Sequence, residues 1–207
     1  MTAAPSAARP VNQRLRVNVL RATFLLCLPA ILFTRSAWTH PEGLFEVLEV
    51  TGIALVIAAV LGRFWAILYI GGHKNRRVVD SGPYSMCRHP LYAASTLGVA
   101  GFGLMLGSVV LTALLAGLTL AILTLTARRE ETFLRATFGT DYDRYAARVP
   151  LILPRPRLFA SDDSVTFSVA HLRHNLRDAL LFLLTIPLAE VMEGVKEAGL
   201  LPTLPLW

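Results

Sequence analysis

The sequence predicts an all-α integral membrane protein with four to five transmembrane helices, including a tight helical hairpin, and a cytoplasmic C-terminal helical cap. Only 16% of its 207 residues are charged and its mean hydropathy is +0.54, whereas soluble domains carry about a quarter charged residues. Residues Leu91 to Ala127 contain no Asp, Glu, Lys or Arg, and this length suits two spans because one span takes about 20 residues. The basic residues cluster beside the apolar segments, as they do at the cytoplasmic ends of membrane helices.

The N-terminal part of the chain contains two apolar segments after a basic start. Residues 1–16 begin with an Ala-, Pro- and Ser-rich stretch and carry arginines, so we expect a disordered basic N-terminus. A first transmembrane helix is predicted from Val17 to Phe33. A second apolar run, Leu44 to Gly62, resumes after Arg63. Residues 17–72 are therefore interpreted as the first two transmembrane helices.

Residues 73–160 are predicted to form the core, with a cytoplasmic loop, the helical hairpin and cytoplasmic helices. The hairpin should turn near Gly107-Ser108, and its second arm should continue as a helix to Phe138. Small residues on the first arm favour close helix packing in lipid; they are Gly98, Gly101, Gly103 and Gly107.

Residues 161–207 are predicted to contain two further helices. Val165 to Arg177 is basic and amphipathic, which is typical of a helix that lies on the membrane surface. Ala179 to Met192 is apolar but short, and Pro187 and Glu190 interrupt it. It could be a fifth span or a helix packed against the others.

The stretch from Gly82 to Tyr92 joins the basic loop to the uncharged segment. Arg88 is the last charge before the apolar run, and His89 and Tyr92 follow at a spacing that puts them on one helix face. Polar side chains at such a depth are costly and therefore indicate a functional site. The alternative is an interfacial anchor, in which Arg88 extends toward water and Tyr92 lies among the headgroups.

The distribution of basic residues predicts which parts of the chain face the cytoplasm. The positive-inside rule puts the N-terminus, the loop before Pro90 and the Glu130-Glu131 region there, in what we take to be a bacterial inner membrane. Because the hairpin arms are antiparallel, we expect Arg88 and His89 to lie near both glutamates, although the two groups are distant in sequence.

Composition argues against several other classes of function. The net charge is +6 and the pI near 9.9, but no basic stripe is interleaved with aromatic residues, so no nucleic-acid partner is expected. Cys27 and Cys87 do not form a disulfide framework, and no metal site is predicted. His171 and His174 are interpreted as part of a polar helix face.

The converging side chains suggest binding chemistry without naming a reaction. Arginine binds a carboxylate or phosphate through its planar fork. Glutamate binds an amine or a ribose hydroxyl, or acts as a base. A mouth between helices with these groups could admit a soluble zwitterion from the cytosol and a lipid from the bilayer.

Two blocks of residues together resemble the isoprenylcysteine carboxyl methyltransferase family and the related phospholipid methyltransferases. The first is Gly82-Pro83-Tyr84 followed by Arg88-His89-Pro90-Leu91-Tyr92. The second is Glu130-Glu131-Thr132-Phe133-Leu134 with Phe138-Gly139, Tyr142, Tyr145 and Val149-Pro150. The resemblance covers roughly residues 78–156. The sequence departs from the family pattern at Ala93-Ala94, where a glycine often stands, and at Leu151, where a basic residue often stands.

The resemblance implies S-adenosyl-L-methionine as methyl donor and a lipid or lipid-like acceptor that enters from the membrane. On this sequence it implies that four residues surround the donor: Tyr84, His89, Tyr92 and Glu130. It also implies that Arg88 and Glu131 lie nearest the transfer step. A carboxylate acceptor is favoured over an amine.

Three alternatives stay open on the sequence alone. The first is N-methylation of a phospholipid amine, in which Glu131 would act as the base. The second is an NADPH-dependent reductase of the sterol type, since those enzymes have a similar Arg-His-Pro block. The third is a non-catalytic membrane scaffold, which the intact set of polar residues argues against.

Overall fold

The computed structural model of the chain describes residues 13–38, 42–71, 77–167, 169, 172–173, 176 and 180–207. In chain order, these residues form α1 (Gln13–Phe33), β1 (Thr34–Ser36), α2 (Glu42–Ile70), α3 (Pro83–Met86), α4 (Pro90–Met105), α5 (Val109–Phe138), α6 (Thr140–Arg148), α7 (Thr185–Glu197) and β2 (Leu204–Leu206). Short 3-10 helices are found at Pro156–Leu158 and Phe182–Leu184.

Within the described ranges, three helices are long and apolar enough to cross a membrane. They are found at Arg14–Phe33, Gly43–Ile70 and Val109–Phe138. The helix α4 is also apolar but shorter, with 16 residues. The largest part of the core lies between α1, α2, α4, α5 and α7, where Ile31, Val56 and Leu111 are almost fully buried. The chain thus has the helices expected of an integral membrane protein, and the count of four to five spans stays a prediction.

The predicted helical hairpin is formed by α4 and α5. Gly107, in the turn, has φ +65, which glycine adopts without steric cost. Ser108 caps α5, because its hydroxyl accepts a hydrogen bond from the N–H of Leu111 at 3.1 Å. We call this end of the bundle the Gly107 end. The opposite end, where α2 finishes and α4 begins, is called the Pro90 end.

Glycines let α2 and α4 approach closely. A Cβ built on Gly101 would lie 2.6 Å from the carbonyl oxygen of Gly52, and a Cβ on Gly52 would lie 2.6 Å from that of Gly101. By contrast, a Cβ on Gly103 would meet Thr112 of α5. Of the glycines predicted to pack the hairpin, Gly101 therefore packs α4 against α2, and Gly103 packs it against α5.

We expect Gly101→Ala to lower the stability of the protein. Its methyl group would overlap the backbone of α2, and overpacking of this kind costs about 1–3 kcal/mol. Gly117→Ala in α5 is the matched control, since a Cβ there meets nothing within 4 Å. The midpoint temperature of thermal unfolding in detergent is measured for both variants. Equal midpoints for the two variants would contradict the close packing of α2 on α4.

The C-terminal part of the chain runs from one end of the bundle to the other. At the Pro90 end, the N–H of Gly82 donates to the carbonyl oxygen of Ala160 at 2.7 Å. At the Gly107 end, the carbonyl oxygen of Trp207 accepts hydrogen bonds from the hydroxyl of Ser108 and the N–H of Val110. Between these points Ala189 of α7 is buried in the core. The described residues 180–192 of the apolar segment therefore pack against the other helices, and whether this segment is a fifth span stays open.

Several details differ from the sequence-based expectations. The helix α1 begins at Gln13, one turn before the predicted Val17, and residues 1–12 lie outside the described residues. The parallel pair of β1 and β2 was not predicted, because each strand has only 3 residues. Arg63 does not interrupt α2, which is one continuous helix. Much of the predicted surface helix Val165–Arg177, including both of its histidines, also lies outside the described residues.

Candidate active site

The loop that joins α3 to α4 is fixed by the segment after α6. The backbone N–H groups of Arg88 and His89 donate to the carbonyl oxygens of Pro150 and Leu151, at 2.9 and 3.0 Å. Gly82, just before α3, has φ +60, a conformation that a residue with a side chain adopts only with strain. These constraints hold the two adjacent polar side chains at the start of α4.

Arg88 forms an ion pair with Glu131. The Nη1 atom of Arg88 lies 2.7 Å from Oε1 of Glu131, and each side chain is only 12% exposed. The hydroxyl of Tyr142 donates to the same oxygen at 3.2 Å. The Nε–H of Arg88 is buried and has no hydrogen-bond partner among the described residues. The guanidinium is therefore held on one edge and keeps a donor for another group.

Glu130 faces the other side chains of the motif. Its Oε2 atom lies 3.7 Å from Nδ1 of His89. The rings of His89 and Tyr92 stack with centroids 5.2 Å apart and planes 7° from parallel. The carboxylate, the imidazole and the phenol therefore form one cluster, as the spacing on α4 and the hairpin predicted.

Arg16 of α1 joins this cluster, and sequence reasoning did not identify it as a site residue. Its Nη1 atom donates to the hydroxyl of Tyr92 at 2.7 Å and lies 3.9 Å from Oε1 of Glu130. In the sequence it is one of several arginines that precede the first span, and nothing in its spacing separates it from Arg14 or Arg21. Only the packing of α1 on α5 selects it.

The buried tyrosines at this end keep their phenol protons near neutral pH. Tyr145 donates its hydroxyl to the carbonyl oxygen of Tyr84 at 2.8 Å. Burial is the main cause that raises the pKa of Tyr84, Tyr142 and Tyr145 well above the usual phenol value. Burial likewise raises the pKa of the Cys87 thiol to about 12. None of these groups is therefore suited to accept a proton near neutral pH.

A cavity of about 880 Å³ begins at this cluster and extends between the helices. At the Pro90 end it is lined by polar side chains, namely Arg16, Tyr84, Arg88, His89, Tyr92 and Glu130. Toward the Gly107 end it is lined by apolar side chains, including Phe102, Leu115, Leu118 and Leu188. Glu131 does not line the cavity itself, but its carboxylate forms an ion pair with Arg88, which does. The structure thus brings all six predicted site residues together.

Cys27 and Cys87 are both buried and carry free thiols. Within the part of the chain that the structure describes, no group of three or more His, Cys, Asp or Glu side chains could hold a metal ion.

Comparison with known proteins identifies the family. A family model described as phospholipid methyltransferase matches residues 64–141. The chain is 36% identical over 190 residues to the cobalt-zinc-cadmium resistance protein CzcN of Cupriavidus metallidurans, covering 91% of this chain and 86% of the relative. It is 35% identical over 204 residues to the nickel-cobalt-cadmium resistance protein NccN of Alcaligenes xylosoxydans xylosoxydans, covering 99% and 95%. No solved structure gives a significant match. These matches confirm the resemblance seen in the two motif blocks, and the chain belongs to the phospholipid methyltransferase family, which is of the isoprenylcysteine carboxyl methyltransferase type.

Proposed function

We propose that this protein transfers a methyl group from S-adenosyl-L-methionine to the carboxylate of a lipid-like acceptor, at the cytoplasmic face of a bacterial inner membrane. The cavity is the observation that carries the proposal. One end has the charged groups that a zwitterionic donor needs, and the other end is apolar enough for a lipid chain. A single continuous space would let the two reactants meet, and most of the catalysis of such a transfer can come from positioning.

The residues at the polar end suit the donor. The carboxylate of Glu130 could bind the donor's ammonium group or its ribose hydroxyls, and the guanidinium of Arg16 could bind the donor's carboxylate. The stacked rings of His89 and Tyr92 offer a flat wall beside these charges. When bound, the donor supplies a methyl group on a positively charged sulfur, and transfer breaks that carbon–sulfur bond and leaves a neutral thioether.

Arg88 is best placed to hold the acceptor carboxylate. A carboxylate is already ionised near neutral pH and needs no base, but its charge must be oriented. The ion pair with Glu131 fixes one edge of the guanidinium, and the buried Nε–H is left to donate. An amine acceptor would need a base, and Glu131 is poorly located for that role because Arg88 and Tyr142 already bind its carboxylate. This geometry favours the carboxyl reaction over phospholipid N-methylation.

The names of the two relatives describe resistance to metal ions and specify no reaction. We infer that a role of this chain in such resistance would operate through a methylated membrane component, since methyl transfer is the chemistry of its family.

Binding of S-adenosyl-L-methionine to the purified protein in detergent tests the proposal. Binding of a reduced nicotinamide nucleotide is measured on the same protein for comparison. We expect the sulfonium donor to bind and its demethylated product to compete. Binding of the nucleotide alone would support a reductase of the sterol type. Binding of neither ligand would support a non-catalytic scaffold. Each of the last two results would overturn the methyltransferase proposal.

We expect Arg16→Gln to weaken binding of S-adenosyl-L-methionine about ten-fold, which is the effect of losing one hydrogen bond to a charged group. Binding of decarboxylated S-adenosylmethionine should hardly change, because that ligand lacks the carboxylate that Arg16 would bind. Arg21→Gln is the control, since Arg21 is exposed on the same helix. Calorimetry with both ligands measures the difference. An equal loss for the two ligands would exclude the carboxylate contact.

A further inference from the structure

Thr119 differs from the other threonines of α5. A threonine in a helix commonly donates its hydroxyl to a backbone carbonyl one turn earlier. Five of the six threonines in α5 do so, namely Thr112, Thr124, Thr126, Thr132 and Thr137. The hydroxyl of Thr119 has no hydrogen-bond partner among the described residues, although Thr119 lines the cavity. An unpaired hydroxyl in apolar surroundings is costly, so this one points to a ligand in the cavity.

Thr119 lies at the same level of the bundle as Ser95 of α4. A Cβ built on Gly103 would lie 2.6 Å from Cα of Thr112, which puts these two residues side by side in the hairpin. The two arms are antiparallel and rise equally per residue. Because of this, eight residues back along α4 and eight residues forward along α5 put Ser95 beside Leu120. Ser95 and Thr119, the residue before Leu120, both line the cavity.

A third hydroxyl, that of Thr23 in α1, belongs to the same level. Leu20 of α1 packs against the buried cluster that contains Tyr92 and Leu123. Thr23 follows Leu20 by one turn toward the Gly107 end, just as Ser95 follows Tyr92. Thr23 also lines the cavity. Three helices therefore bring hydroxyl-bearing residues to one level of the cavity, between the polar residues at the Pro90 end and the apolar wall toward the Gly107 end.

These three hydroxyls differ in the hydrogen bonds that they can still form. Those of Thr23 and Ser95 donate to the carbonyl oxygens four residues earlier, at 2.9 and 2.7 Å, so they can only accept a further hydrogen bond. Ser95 already accepts one from Arg63 at 2.6 Å. The hydroxyl of Thr119 can both donate and accept. A ligand group that accepts from Thr119 and donates to Thr23 matches this set. A hydroxyl does both, whereas the carbonyl of an ester or a ketone only accepts.

We propose that Thr119 and Thr23 form a binding subsite for a hydroxyl group on the chain of the acceptor. The inference rests on the proposed function, which puts the reacting carboxylate of the acceptor at Arg88. Thr119 donates a hydrogen bond to the oxygen of the acceptor's hydroxyl, and Thr23 accepts one from it. The acceptor is then a hydroxylated long-chain acid, and the part of its chain beyond the hydroxyl lies beside Phe102 and Leu115.

The rise of α4 predicts where on the chain the hydroxyl lies. Ser95, at the level of Thr119, comes seven residues after Arg88, which is about 10 Å at 1.5 Å per residue. An extended chain covers about 1.2 Å per bond, so about eight bonds separate the carboxylate from the carbon that carries the hydroxyl. The hydroxyl is therefore expected near the middle of a chain as long as that of stearate.

Binding of three acids of the same chain length tests this inference. They are stearate, a hydroxystearate with its hydroxyl near the middle of the chain, and a hydroxystearate with its hydroxyl beside the carboxylate. We expect the wild-type protein to bind the mid-chain hydroxystearate about ten-fold more tightly than the other two acids, which is the effect of a net gain of one hydrogen bond. Thr119→Val keeps the shape of the side chain without its hydroxyl and should abolish this preference. Thr119→Ser, which keeps the hydroxyl, should retain it.

The matched control is Thr124→Val in the same helix. Thr124 donates to the carbonyl oxygen of Leu120 at 2.6 Å and does not line the cavity, so this variant should keep the preference for the mid-chain hydroxystearate. The midpoint temperature of thermal unfolding shows whether each variant is folded. If Thr119→Val does not fold, Thr23→Val removes the other partner of the ligand's hydroxyl and should weaken the preference.

Binding of S-adenosyl-L-methionine to the wild-type protein separates failure of the subsite from failure of the proposed function. If the wild type shows no preference for the mid-chain hydroxystearate, or if Thr119→Val and Thr124→Val lose it equally, the subsite is wrong, whether or not the donor binds. If the preference depends on Thr119 but the donor does not bind, the hydroxyl subsite stands and the methyltransferase proposal fails.

Discussion

Arg88→Lys is expected to reduce methyl transfer about 10²- to 10³-fold, which is the usual effect of removing one preorganised donor from a reacting site. Binding of S-adenosyl-L-methionine should remain close to that of the wild type. Lysine keeps the positive charge but loses the planar fork, so it cannot bind Glu131 on one edge and an acceptor carboxylate on another. The ratio of the two losses therefore reports on which reactant Arg88 contacts.

Methyl transfer is measured as incorporation of a labelled methyl group into a total lipid extract of the expressing membrane. Donor binding is measured separately at equilibrium. Arg148→Lys is the matched control, because Arg148 forms an exposed ion pair with Asp80 at 3.0 Å and exposed pairs contribute little. It should leave transfer and binding unchanged. If Arg88→Lys lowers donor binding as much as transfer, Arg88 belongs to the donor site instead.

The hairpin and the main cluster could be predicted from the sequence because they depend on local signals. Gly107-Ser108 lies near the middle of a long uncharged segment, and the turn is found at these residues. Since a hairpin returns its second arm to the level at which the first began, Arg88 and His89 meet the two glutamates. The family motifs identified the same residues independently.

The parts that could not be predicted depend on contacts between distant segments. Arg16 enters the site only because α1 packs on α5 in a particular rotation, and an arginine at a membrane boundary has an ordinary explanation. The hydrogen bonds from Ser108 and Val110 to Trp207 have no counterpart in local sequence pattern. Arg63 interrupts an apolar run in the sequence, and it lines the cavity only because α2 packs against distant segments of the chain.

Glu130 and Glu131 are adjacent in sequence, and we expect their amide variants to fail in different ways. Glu130→Gln should weaken binding of S-adenosyl-L-methionine about 10- to 100-fold, since a carboxylate that lines the cavity loses its charge. Glu131→Gln should leave donor binding nearly unchanged and should lower transfer, because Glu131 acts through the guanidinium of Arg88 at 2.7 Å.

The two glutamine variants are each other's control, because they make the same chemical change one residue apart on one helix. A combined Arg88→Lys, Glu131→Gln variant adds a further test. If Glu131 only positions Arg88, the double variant should transfer little less than Arg88→Lys alone, since residues that act as one unit are strongly non-additive. Additive losses would give Glu131 a role of its own, such as the base that an amine acceptor needs. Reversed phenotypes for the two single variants would assign the donor to Glu131 and would contradict the site geometry proposed for both reactants.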